Sequence, residues 1–205
     1  MNGHLPKKYT LSIRPKEYLK QGPSHCGVYS VKAILSAYGL DDKIHPKYYH
    51  PNLFHQETGM TWGNQYYTNI LSKYGIGASM KSAKESLKNE KLNVLKNLLS
   101  RNTPVMIRIG NGYASKIYNS LMGKLVAHWI TLWGYDDDKR IFYAYDSGLP
   151  KKYWNKTQHV GNTIRTYDEI LRDWSFGKWQ PWAWPVTGPR KYVYIELKTK
   201  NNGRN

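Results

Sequence analysis

Cysteine occurs once in 205 residues. A disulfide within the chain is therefore impossible, and so is a zinc site built from several thiolates. Acidic residues are scarce too: 14 Asp and Glu stand against 31 Lys and Arg, for a net charge of +17. No apolar run approaches the roughly 20 residues of a membrane-crossing helix, and mean hydropathy is −0.70. The stretch from Met1 to Lys20 is basic but has no apolar segment of the kind a secretory signal needs. A soluble chain is expected; the cytoplasm is favoured and secretion stays open. Internal repeats and low-complexity stretches are also missing, which removes the repeat architectures.

What the chain does have is aromatic bulk: 8 Trp and 18 Tyr, within an apolar fraction of 40%. Disordered chains rarely carry such side chains, so a packed core follows. The length fits one domain. The expected division is an irregular basic arm over 1–14, a single domain over 15–198 and a polar tail over 199–205. The positive field attracts polyanions without choosing among them. A solvated lysine-rich surface is the simpler reading, and weak polyanion binding stays open.

From Val28 to Tyr38, Val28, Val31, Leu35 and Tyr38 recur at helical spacing, and Ala33, Ile34 and Ala37 widen the stripe. A helix apolar nearly all round belongs in the centre of a fold, and Gly39 ends it. Residues 41–60 read as loop. Trp62 to Tyr74 predicts a second helix closed by Gly75 and Gly77, and Leu87 to Leu99 an amphipathic third. Thr103-Pro104 then breaks the pattern, Val105 to Ile109 predicts a strand, and Lys191 to Lys198 a last one. Helices first and strands afterwards give an α+β class.

Val126–Tyr135 and Arg140–Asp146 form two apolar runs around Asp136-Asp137-Asp138-Lys139, a hairpin pattern. Matching apolar to apolar sets Leu132 opposite Phe142, Ile130 opposite Ala144 and His128 opposite Asp146. Side chains so opposed lie on one face with Cβ atoms about 4.5–5.5 Å apart. A slip of one residue would turn the imidazole and the carboxylate to opposite faces.

The single thiol stands in Gln21-Gly22-Pro23-Ser24-His25-Cys26-Gly27, a turn-forming stretch leading into the apolar helix. A helix N-terminus presents unpaired N–H groups and the positive end of the dipole, which favour thiolate. By position alone, a nucleophile and a small packing residue are equally good readings of Cys26. His128 can be a core histidine bonded to a carbonyl, and Asp146 a turn-capping aspartate. The three taken together fit a nucleophile, a base and the group that orients the base.

These residues, in this order, resemble the papain-like cysteine peptidases, and among them the bacteriocin-leader-processing (double-glycine) peptidases and their stand-alone relatives. The resemblance rests on Gln21 before Cys26-Gly27, an apolar helix ending in Tyr38-Gly39, His128-Trp129-Ile130-Thr131-Leu132-Trp133-Gly134-Tyr135-Asp136, and Tyr145-Asp146-Ser147. It covers residues 15–150. It implies an α+β papain-like fold, with the nucleophile at a helix N-terminus packed on an antiparallel sheet. It implies a peptide or protein substrate, with Cys26 as nucleophile, His128 as base and then acid, Asp146 as its orienter, and Gln21 as oxyanion donor beside the Cys26 N–H. His25 stands where the family usually has Asp or Asn, and the Gln21–Cys26 gap is one residue shorter than is common.

No cofactor and no metal is expected. His45, His50 and His55 recur in a proline-containing loop without an acidic ligand set. Five aromatic residues, Trp174, Phe176, Trp179, Trp182 and Trp184, crowd one segment and are read as packing over a core edge or lidding a cleft. Two other functions stay open. One is a papain-like binding module for a polyanion or glycan; the other is the same thiol chemistry used for deamidation or acyl transfer. The residues fix no oligomeric state.

Overall fold

The computed structural model describes residues 5–40, 43–61, 65–111, 126–157, 160–175 and 191–198. The nearly all-apolar segment forms helix α1 (Cys26–Ala37), and every residue from Cys26 to Ser36 is buried. Its one cation, Lys32, escapes the core by donating from Nζ to the Ile44 carbonyl at 2.9 Å. Two further helices, α2 (Leu53–Thr58) and α3 (Tyr66–Lys73), precede strand β2 (Gly77–Ser82) and helix α4 (Lys88–Ser100). The strands β3 (Val105–Gly110), β4 (Ala127–Asp136) and β5 (Ile141–Tyr145) follow. A 3₁₀ turn (Lys151–Tyr153), strand β6 (Thr163–Thr166), helix α5 (Tyr167–Trp174) and strand β7 (Val193–Lys198) come last.

The strands form one antiparallel sheet in the order β2-β7-β3-β4-β5-β6, and a short β1 (Lys8–Thr10) pairs with β4. Alternate residues along each strand feed different cores, as the two-residue pleat requires. Ile107 and Ile130 pack with Leu95 and Leu99 of α4 and Trp174 of α5. Their neighbours Met106 and Trp129 pack with Val28, Val31 and Leu35 of α1 and Leu71 of α3. The sheet is thus covered by helices on both faces. The α+β class, with early helices on an antiparallel sheet, is what the sequence implied.

Several local readings are corrected. Lys8–Thr10 is not part of an irregular arm: it pairs with Asp136, Tyr135 and Gly134, taking up the edge of β4 past the end of β3. Residues 41–60 are not all loop. Pro46–Tyr49 forms a 3₁₀ turn, and α2 is started by Asn52, whose side chain accepts from His55 N–H. Gly77, expected to follow a helix end, opens β2. Among the described residues the second helix begins at Tyr66, and Trp62 lies outside them.

The hairpin register also differs. Asp136 stays in the strand opposite Ile141, its carboxylate accepting the Lys139 N–H at 3.1 Å, and Arg140 closes the turn at φ 53. Continued without interruption, this pairing would set Leu132 opposite Tyr145 and turn His128 and Asp146 to opposite faces. A β-bulge intervenes: Gly134 faces Tyr143 but Leu132 faces Ala144, with Trp133 as the extra residue. The bulge restores parity, so His128 and Asp146 share a face as diagonal rather than directly opposed neighbours.

Candidate active site

Cys26 is the first residue of α1, and its side chain sits where the first turn meets β4. The thiol sulfur accepts the Trp129 N–H at 3.3 Å. Tyr67 lies flat against the neighbouring Gly27, where an added Cβ would stand 2.0 Å from the phenol Cζ. Only glycine leaves room for that ring, which also meets Trp129 edge-on at 5.4 Å. Cys26 packs in one buried cluster with these two aromatic residues and is 8% exposed.

His25 sits just before Cys26 as the α1 N-cap. Its ring nitrogens contact the Pro23 carbonyl and, at 2.8 Å, the Gln56 carbonyl. Gln56 in turn donates to the His50 carbonyl at 3.1 Å. The histidine that replaces the family's usual Asp or Asn thus pins α2 to the loop carrying the thiol.

His128 presents Nε2 to Asp146 Oδ1 at 2.7 Å, and the Cys26 side chain is near enough to act on the charge of its ring. Burial alone would push this imidazole toward neutrality. The Asp146 carboxylate and Cys26 outweigh it and hold the imidazole up at about 10. Burial would likewise raise the Asp146 carboxyl, but His128 and Arg165 override it and keep it well below the usual carboxylate range.

Asp146 is held by more than its imidazole. Oδ1 also accepts the N–H groups of Gly148 at 2.9 Å and Leu149 at 3.2 Å, and Oδ2 accepts Arg165 Nη2 at 2.7 Å. Asn162 clamps the same residue's backbone: its Oδ1 accepts Asp146 N–H at 2.8 Å while its Nδ2 donates to the Asp146 carbonyl at 2.9 Å. Gln21 reaches this corner from the other side. Its N–H donates to the Ser147 carbonyl at 3.0 Å, and its Oε1 accepts the Ser147 hydroxyl at 2.5 Å.

Cys26, His128 and Asp146 therefore lie together, with Gln21 tied to the residue after Asp146. Arg165 and Asn162 escaped sequence reasoning. The helix that follows them was readable: Thr166 and Glu169 form a reciprocal capping box, with Glu169 N–H donating to Thr166 Oγ1 at 3.2 Å and Thr166 N–H to Glu169 Oε2 at 2.8 Å. That signal announces α5. Nothing local in the sequence says that Arg165 turns inward to a carboxylate.

The remaining candidates fall elsewhere. His50 is buried with Nδ1 2.7 Å from the Tyr66 hydroxyl, and no group of three or more His, Cys, Asp or Glu able to hold a metal ion occurs among the described residues. Trp174 is a core residue that donates to the Val193 carbonyl at 2.8 Å. Phe176, Trp179, Trp182 and Trp184 lie outside the described residues. No helix among the described residues is long and apolar enough to cross a membrane.

Comparison with known proteins agrees with this fold. A double glycine motif protease from an AMS/PCAT transporter, solved in complex with its leader peptide, has a similar fold. The TM-score is 0.52 at 13% identity, over 93% of this chain and 97% of that one. UfSP from C. elegans is similar at TM-score 0.51 and 12% identity, over 97% of this chain but only 36% of its own. No curated protein matches the chain. The model of the Peptidase_C39 like family matches residues 11–172, and the chain belongs to that family.

Proposed function

We propose that this chain is a cysteine peptidase that cleaves an amide bond through a thioester intermediate. The observation that carries the reading is the meeting of the three groups, with His128 Nε2 on Asp146 Oδ1 at 2.7 Å and the Cys26 sulfur 3.3 Å from the N–H of Trp129, the residue next to His128. In this reading Cys26 and His128 rest as a thiolate–imidazolium pair, and Asp146 fixes the ring's orientation and stabilises its charge.

Sulfur attacks the scissile carbonyl, and the carbonyl electrons move onto oxygen. The Gln21 amide supplies one donor to that oxyanion. The Cys26 N–H supplies another, since first-turn N–H groups have no partner inside their helix. With Gln21 Oε1 engaged by Ser147, its NH₂ end is the one left to act as donor. His128 then gives its proton to the leaving amine, which departs and leaves a thioester. The now neutral imidazole takes a proton from water, the hydroxide attacks the thioester, and the acid product leaves with the thiolate restored. A peptide is the natural substrate class, by likeness to the protease whose structure holds a leader peptide.

The test is alkylation of the folded chain with iodoacetamide below about pH 8, where an ordinary thiol is mostly protonated. Cys26 should react much faster than free cysteine, and His128→Ala should remove the advantage. Slow labelling that the substitution leaves unchanged would defeat the reading. Mass analysis of the products of a cleaved peptide then separates hydrolysis from deamidation or transfer to another acceptor.

A further inference from the structure

The charges around His128 do not balance without Arg165. A thiolate–imidazolium pair is neutral, and papain-like sites that complete it with Asn stay neutral. Here the third group is Asp146, which is 4% exposed and adds a negative charge to a buried set. An uncompensated buried charge is costly. Arg165, 5% exposed, brings the sum back to zero, and its Nη2 meets Asp146 Oδ2 at 2.7 Å.

The sheet explains how an arginine reaches this place. Arg165 on β6 pairs with Phe142 on β5. Phe142, Ala144 and Asp146 alternate onto one face, so the guanidinium can extend along that face to the carboxylate. Of the two carboxylate oxygens it meets Oδ2, which leaves Oδ1 for His128 Nε2 and the N–H groups of Gly148 and Leu149. The two carboxylate oxygens thus face different partners, and rotation of the carboxylate would break both sets at once.

We propose that Arg165 is a positioning residue for this site: it neutralises Asp146 and fixes the carboxylate plane, so that Asp146 and Arg165 act on His128 as a single unit in place of a neutral amide. Its bearing on turnover rests on the peptidase reading above; the pairing itself does not.

Four variants of the full chain test it: R165M, R165K, D146N and the double variant R165M/D146N. Thermal melting, the His128 NMR titration and iodoacetamide alkylation of Cys26 are the readouts. In R165M the carboxylate loses its second cation and leans harder on the imidazole, so the His128 midpoint should rise and alkylation at neutral pH should fall by about tenfold or more. R165K keeps the charge and should keep the midpoint near that of the parent. D146N strands a buried guanidinium and should melt lowest. The double variant restores a neutral Cys-His-Asn set and should melt above D146N, a non-additive result that marks a coupled pair.

Additive melting losses, or a His128 midpoint in R165M that is unmoved or falls toward the ordinary imidazole value, would overturn the proposal. Should Cys26 of the parent chain react no faster than free cysteine, the peptidase reading falls, and the melting and titration results still decide the role of Arg165.

Discussion

Ser147 and Gln21 hold each other twice: the Gln21 N–H donates to the Ser147 carbonyl at 3.0 Å, and the Ser147 hydroxyl donates to Gln21 Oε1 at 2.5 Å. The end of the strand carrying Asp146 is thereby stitched to the start of the loop carrying Cys26. One short segment, Asp146-Ser147-Gly148, meets the imidazole, the glutamine amide and the carboxylate's own N–H donors.

Gln21→Ala should lower kcat/KM by about 10²–10³, the usual loss when one oxyanion donor is removed. Ser147→Ala should lower it less, about tenfold, because it frees the amide to rotate without removing it. Both should leave the melting temperature within a few degrees of the parent. The check is steady-state kinetics on one cleaved peptide beside melting curves. Equal losses in the two variants would point to a loop-tethering role for the pair instead.

Gly148 should not tolerate even a methyl group. A Cβ there would lie 2.9 Å from His128 Cε1 and 3.3 Å from Asp146 Oδ1. Gly148 is not among the positive-φ glycines, so alanine fits its backbone and only the neighbouring ring must give way. Gly148→Ala should therefore lower the Cys26 alkylation rate by about tenfold or more through a displaced imidazole, with a modest drop in melting temperature. Alkylation at the parent rate would show that the imidazole can shift without consequence.

The polyanion question separates from the chemistry. With a net charge of +17, the chain should be retained on heparin, and retention should fall steeply with salt. Cys26→Ala should elute at the same salt concentration, because the field belongs to the whole surface and not to the cleft. Elution that ignores salt would remove the binding-module function from consideration.

The parts of this site that were legible share one property: they follow from short-range pattern. Cys26 is marked by the turn before an apolar helix, and that helix runs as read, ending at Ala37 before Gly39. His128 and Asp146 are marked as polar residues near the ends of apolar runs. Their opposed register was the wrong one, yet the side chains still meet, because the Trp133 bulge restores the parity that the later turn would have lost. No residue pattern announces that bulge. Arg165 was invisible for a related reason: an arginine in a four-residue strand reads as solvent-facing until the sheet order places β6 beside β5. His25 was read only as a departure from a family habit, and its contact with Gln56 depends on where α2 packs.

Stability should be greatest near pH 6.5, because two buried histidines are shifted in opposite directions from that common value. His50 is lowered to about 4, by burial first and then by the nearby His25 and His55. It is a neutral base in the folded chain, so its contribution is complete above about 6.5 and lost as pH falls toward 4, a loss of at most about 3 kcal/mol. His128 is raised to about 10 because Asp146 and Cys26 override the effect of burial. Its contribution is complete below about 6.5 and lost as pH climbs through 10. The depressed Asp146 carboxyl acts in the same sense as His50 but only at the acid extreme, since its contribution is present above the ordinary carboxylate range. Melting curves from pH 4 to 10.5 should trace a dome, with His50→Gln flattening the acid side alone and His128→Gln the alkaline side alone. An acid side that keeps its slope in His50→Gln would assign that limb to other groups.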